Sequence, residues 1–239
     1  MPTLNLLYQH EIRINDSIHV MIPKVGDILD NEDEYYGMVS MLTAMPVDLM
    51  AQLDEIGIDF ETINEYELFL MMFPGLQTRN TSLIFGDLQL KDFSTAENTE
   101  NGMIVLRDPN TGVVIDRAIL GKIAAALRKI HGFEKNRRKP ANPEAKEYML
   151  QRAKAKMKRR KRSEDSQLES LIISLVCTEQ YKYDFEGTRE LSIYQFNECI
   201  RQVISKIDYD HRMAGVYAGT IDPKGLSQDD LTWLAHKAK

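Results

Sequence analysis

The sequence predicts an α+β fold, mostly helical, from three observations. Two stretches in the first half alternate apolar and polar residues around turn-forming residues. Capping signals open several helical segments, and the part after residue 143 reads as helices joined by a polar bend at Ser163–Ser166 and a turn at Asp222–Gly225. Period-two alternation marks strands, and 3.6-residue periodicity with capping residues marks helices.

The first hairpin is read from Leu4, Leu6, Tyr8, Ile12 and Ile14 on one arm and Ile18, Val20 and Ile22 on the other, with the turn at Asn15-Asp16. A two-residue turn there would place His19 across from Ile12 and diagonal to His10. Pro23 and Gly26 end the hairpin. Asp30 to Glu34 opens a helix through about Ala44, its carboxylates facing the positive end of the helix dipole. Pro46 and Asp48 start a second helix ending near Gly57. Thr62-Ile-Asn-Glu65 reads as a capping box opening a helix that Pro74-Gly75 ends. Residues 81–93 read as extended. The second hairpin pairs Met103–Leu106 with Val113–Ile115 around Asp108–Gly112. Asp116 caps the next helix, whose Ile119, Ile123, Leu127 and Ile130 share a face, and Gly132 stops it. Asn142 and Pro143 start a helix predicted to reach Arg162. In the last part, Leu168, Leu171, Ile172, Leu175 and Val176 form one apolar stripe. Ser192-Ile-Tyr-Gln195 caps a long helix, and Ser227–Asp230 caps a short final one carrying Leu231, Trp233 and Leu234. The division this implies is a hairpin-plus-helix domain over 1–139, a basic connecting helix over 140–163 and a C-terminal helical domain over 164–239.

Composition bounds the function. The chain has 239 residues, 43% hydrophobic and 28% charged, which is ordinary for a folded protein. Its apolar runs fall far short of the ~18 residues of a membrane span. The opening Met-Pro-Thr-Leu-Asn-Leu-Leu has no basic segment, so no secretory leader is expected. Cys177 and Cys199 both fall in apolar helical stretches and read as two buried thiols of a reducing compartment. The net charge of −6 is unevenly spread: residues 1–120 hold 6 Lys/Arg against 20 Asp/Glu, residues 121–163 hold 16 against 3, and residues 164–239 hold 8 against 13.

No catalytic motif emerges. Gly121-Lys122 lacks both the upstream glycine and the following Ser/Thr that a phosphate-wrapping loop needs. The dinucleotide fingerprint, the paired-histidine zinc spacings and the Gly-x-Ser-x-Gly elbow are absent too. His10 with His19, and Asp208 with His211, are the closest approaches to a ligand pair. Both read as solvated polar faces. The expectation is a non-enzyme with neither cofactor nor metal.

Two stretches remain as candidate binding surfaces. Leu68, Phe69, Met71, Met72 and Phe73 make a segment apolar on most sides, suited either to a core helix or to a partner interface. Lys154, Lys156, Lys158, Arg159, Arg160, Lys161 and Arg162 form a run whose single large apolar residue is Met157. It is solvated or lies on something negative. The negative surface is acidic protein (this chain's own front half, a neighbouring copy, or another partner) or nucleic acid.

The layout also resembles a known group. An N-terminal hairpin ends in Ile18-His-Val-Met-Ile-Pro-Lys-Val-Gly-Asp-Ile28. Tyr35-Tyr36, Gly57-Ile-Asp-Phe60 and Asn64-Glu-Tyr-Glu-Leu-Phe69 follow. The chain then closes with Met213-Ala-Gly-Val-Tyr-Ala-Gly219, Ile221-Asp222 and Asp230-Leu-Thr-Trp233. This resembles proteins encoded among the tail genes of phages and prophages of Gram-positive bacteria. Its opening resembles phage tail and baseplate assembly chaperones, which start with a short hairpin and continue as helices. The resemblance implies a non-catalytic assembly factor in the bacterial host cytoplasm. It would bind an unassembled tail protein such as the tape measure through Leu68–Phe73 and the hairpin edge. The alternatives are a structural component of the particle at the neck or baseplate, and a nucleic-acid-binding protein acting through the basic helix. A homo-oligomer is a further expected partner state, and a membrane is not an expected partner.

Overall fold

The computed structural model describes residues 5–98, 102–159 and 166–234. It is α+β and mostly helical, with a two-stranded and a three-stranded antiparallel sheet.

The chain opens with a 3-10 turn, Leu6–Tyr8, where an extended arm was expected; the Asn5 side chain accepts from Leu7 N. β1 (Glu11–Arg13) and β2 (His19–Met21) pair so that Ile12 faces Val20 and Arg13 faces His19. His19 therefore does not oppose Ile12. Ile14 N and Asn15 N both donate to Ile18 O, which lengthens the turn, while Asn15 Oδ1 accepts from Ser17 N and Ile18 N. This register puts Ile12 and Val20, both buried, on one face; a one-residue slip would turn one of them outward.

α1 (Val25–Leu29), a short helix without a sequence signal of its own, precedes α2 (Glu32–Thr43). A 3-10 turn from Pro46 runs into α3 (Met50–Glu55). α4 (Glu65–Gln77) is capped by Asn64 and Glu67, not by Thr62 and Glu65. Asn64 Oδ1 accepts from Tyr66 N and Glu67 N, whereas the Thr62 hydroxyl is spent on Asp59 O in the preceding turn. α4 also runs through Pro74-Gly75 rather than stopping there.

The stretch 81–93 is not extended. Leu83 to Phe85 lie in the one-turn helix α5 (Ser82–Phe85), closed by Gly86 at φ 61°, and Leu90–Asp92 forms a 3-10 turn. Three consecutive apolar residues fit a buried helical turn as well as a strand. The second hairpin, β4 (Ile104–Arg107) and β5 (Val114–Ile115), forms as read, and β3 (Ser94–Glu97) adds to the far edge of β4. Asp108 braces its turn by accepting from Asn110 N and from the Thr111 hydroxyl. α6 (Arg117–His131) starts at Asp116, which accepts from Ile119 N at 2.7 Å, and ends at Gly132 with φ 69°. α7 (Pro143–Arg159) starts where Asn142 accepts from Ala145 N at 2.7 Å.

α8 (Gln167–Val176), α9 (Phe185–Glu190) and α10 (Ile193–Tyr217) make up the last part. Ser192 and Gln195 form the capping box of α10 as read. The short final helix is one 3-10 turn, Gln228–Leu231, and Trp233 and Leu234 lie beyond it. Cys177 is exposed, Cys199 is half-buried and both are free, so neither is the buried thiol expected. α8 to α10 share the main core with the N-terminal elements: Leu168, Ile172, Leu175, Ile193 and Phe196 pack in one cluster with Ile18, Val25, Tyr35 and Ile123. Backbone bonds reinforce the join, Val25 N to Leu191 O and Ile193 N to Pro23 O, each 2.9 Å.

Candidate partner-binding surface

The five candidate residues of α4 separate by helical geometry. Leu68, Phe69 and Phe73 are buried, Met72 is half-buried and Met71 is exposed. Phe69 and Phe73 meet edge to face with centroids 5.8 Å apart, inside the main core. Leu68 belongs to a smaller second core with Val47, Met50, Leu53 and Phe60, and Met72 packs against it. Tyr66 holds the helix in place by donating its hydroxyl to Ile115 O at 2.8 Å, and burial pushes its pKa up to about 12. This apolar run is thus mostly interior, and Met71 is its exposed side chain.

α7 docks on that second core. Its first half supplies Met149, Leu150 and Ala153 to the apolar contact. Lys146 reaches Asp59 at 2.5 Å and Glu61 at 2.7 Å, and its ammonium lies 5.3 Å from the Phe60 ring centroid. This ammonium holds the Asp59 carboxyl below its usual range. Lys154 pairs with Asp54. The negative surface under this helix is therefore the chain's own acidic front. Of the basic run, Lys154 is half-buried in that contact, while Lys156, Lys158 and Arg159 are exposed. Arg160, Lys161 and Arg162 lie outside the described residues.

A groove along α10 was not legible as a site. Two adjoining cavities of about 580 Å³ each share Tyr183, Cys199, Gln202 and Trp233 as walls. One extends over Tyr181, Val203 and Lys206; the other reaches Leu7, Tyr8, Gln195 and Leu234. The walls are fixed from several sides. Tyr181 and Thr188 exchange a hydroxyl bond at 3.0 Å, and Gln195 Nε2 donates to Leu7 O at 2.8 Å. Gln202 Nε2 donates to Trp233 O at 3.0 Å, and Lys206 Nζ sits 5.6 Å from the Trp233 ring centroid while pairing with Asp210. Burial pushes the Cys199 thiol pKa up, so the thiol behaves as a small apolar wall group. Tyr8, Tyr183 and Leu234 are exposed at its edges. Clustered apolar side chains of this kind mark interaction surfaces more often than scattered ones do.

His19 Nδ1 contacts Glu11 Oε1 at 2.8 Å, and His211 and Asp208 are both exposed. Among the described residues no group of three or more His, Cys, Asp or Glu side chains is placed to hold a metal ion. No described helix is long and apolar enough to cross a membrane.

Residues 158–237 match the family model described as the YomV second domain, a phage- and prophage-associated family. Neither the curated proteins nor the solved structures give a match. The matched stretch takes in α8, α9, α10 and the turns that follow. It therefore contains every wall residue of the α10 groove except Leu7 and Tyr8.

Proposed function

We propose that the protein is a non-catalytic assembly factor for the phage tail or baseplate, binding an unassembled tail protein through the groove along α10. The observation that carries this reading is the groove itself. Tyr8, Tyr183, Trp233 and Leu234 gather on one surface within and beside the stretch that is similar to a phage-associated family. An aromatic or leucine side chain seated in such a groove gains about 1.5–3 kcal/mol from burial, so two or three anchors suffice for a specific contact. With Leu68, Phe69 and Phe73 committed to the core, the groove takes the shielding role in place of α4.

The test is recovery of partners on tagged protein from host cells during particle assembly, after nuclease treatment, read by mass spectrometry. Wild type should bring down a tail protein, and the Tyr8→Ser/Tyr183→Ser double variant should not. Equal recovery on the variant, or partners that are lost on nuclease treatment, would sink the reading.

A second reading has its own observation. Lys156, Lys158 and Arg159 stand exposed at the end of α7. A nucleic acid neutralised by such residues is bound with a steep salt dependence. Replacing the basic residues of the run Lys154–Arg162 with Gln abolishes binding if this reading holds and leaves it intact if it does not.

A further inference from the structure

We propose that a cleft between the turn at Pro46, the segment around Ile63 and the 133–140 loop binds an acidic peptide segment that carries an aliphatic side chain between its carboxylates. The cleft holds about 500 Å³ and lies apart from the α10 groove, sharing none of its wall residues.

Its floor is aliphatic: Met45, Pro46, Val47 and Ile63 line it, with Phe60 beside them. Its rim is cationic. Arg117, Arg137, Arg138 and Lys139 are wall residues and exposed. The two carboxylates on the rim are already engaged: Glu65 pairs with Lys135, and Glu61 pairs with Lys146. The cleft thus presents four arginine and lysine charges around an aliphatic floor, with both of its lining carboxylates already ion-paired.

The loop carrying those charges is held in place. Asn136 Nδ2 donates to Asp48 Oδ1 at 2.7 Å, and Asn136 Oδ1 accepts from Arg138 N at 3.2 Å. This side chain bridges the loop to the turn that forms the opposite wall, so little ordering is left for a ligand to supply. Arginine's planar fork suits carboxylates and phosphates alike. The floor decides between them. A nucleic acid reader offers aromatic faces for bases, whereas Phe60 is buried and already covered by Lys146. An aliphatic floor under a cationic rim fits a leucine- or isoleucine-type side chain flanked by Asp or Glu.

The test is selection from a random 12-residue peptide library on the full chain, with affinities of the enriched peptides measured by fluorescence anisotropy. Enriched sequences should place two or more acidic residues around an aliphatic one. Arg137→Gln/Arg138→Gln, both changes at exposed positions, should weaken them by about tenfold or more, as removal of interfacial charge pairs does. A 12-nucleotide oligothymidylate should not compete. The proposal is overturned if the enriched peptides lack acidic residues, if the double variant binds them as wild type does, or if the oligonucleotide displaces them. Because the groove variant Tyr8→Ser/Tyr183→Ser should bind these peptides normally, loss of tail-protein recovery and loss of peptide binding report on different sites.

Discussion

The Glu32 carboxylate at the start of α2 accepts the backbone N–H of Leu168 at 2.9 Å, at the start of α8. Its second oxygen takes the Ser166 hydroxyl, whose own oxygen accepts from Glu169 N at 2.8 Å. One acidic side chain therefore serves the first turns of two helices 136 positions apart in the chain. Glu32→Ala should cost about 1–2 kcal/mol in urea unfolding, the range for losing a charged cap partner. Ser166→Ala should cost less. The double variant should fall short of the sum, since both residues act on one network. Additive losses would show that the two caps work separately.

His131 closes α6 with its Nε2 3.0 Å from the Tyr35 hydroxyl and its ring stacked on Phe133. A helix C-terminus favours the imidazolium, but only by about 0.3–1 kcal/mol. Burial wins and pushes the pKa down to about 4. The unfolded chain then binds a proton near pH 6.5 that the folded chain refuses. Stability should be flat above that pH and fall below it, down to about pH 4. The loss is about 2 kcal/mol between pH 6.5 and 5, at about 1.4 kcal/mol per pH unit. Urea midpoints of wild type and His131→Gln at pH 7.5 and pH 5 measure this: the histidine-dependent part of the slope should vanish in the variant.

Phe69 and Met71 are two residues apart on α4 and should behave oppositely. Phe69 is 2% exposed and Met71 45%. Phe69→Ala leaves a cavity in the main core and should cost about 3–5 kcal/mol. Met71→Ser should stay within about 0.5 kcal/mol. Thermal unfolding of the two variants reads this directly. A folded, stable Phe69→Ala would return that helix to the role of an interface.

These elements show where the sequence was legible. Asp116, Asn142 and Ser192 announce their helices because a cap is a contact across three residues, visible in a short window. The second hairpin was legible for the same reason, through Asp108 and Gly112. α5 was misread because Leu83 to Phe85 is too short to show a period. The α10 groove was invisible because Tyr8, Tyr183 and Trp233 meet only once the chain has folded. The docking of α7 was half legible. Its charge was evident, but the strip that seats it, Met149, Leu150 and Ala153, lies ahead of the basic run and is spread thinly among polar residues.

That docking sets two kinds of contact against each other. Lys146 and Lys154 pair with carboxylates that are all substantially solvated, and such pairs add little to stability and weaken further in salt. Leu150 and Met149 instead remove apolar surface from water against Val47, Met50, Leu53 and Phe60. The apolar strip should therefore dominate. Trypsin cleavage within Lys154–Arg159 measures the outcome, since a helix held on the body is cut slowly. Leu150→Ser should speed cleavage by roughly tenfold, the equivalent of about 1.4 kcal/mol of lost apolar contact. Lys146→Gln, or wild type in 0.5 M salt, should change it by less than about threefold. If salt alone frees the helix as fully as Leu150→Ser does, the contact is electrostatic, and the acidic patch of Asp54, Asp59 and Glu61 competes directly with any anionic partner of α7.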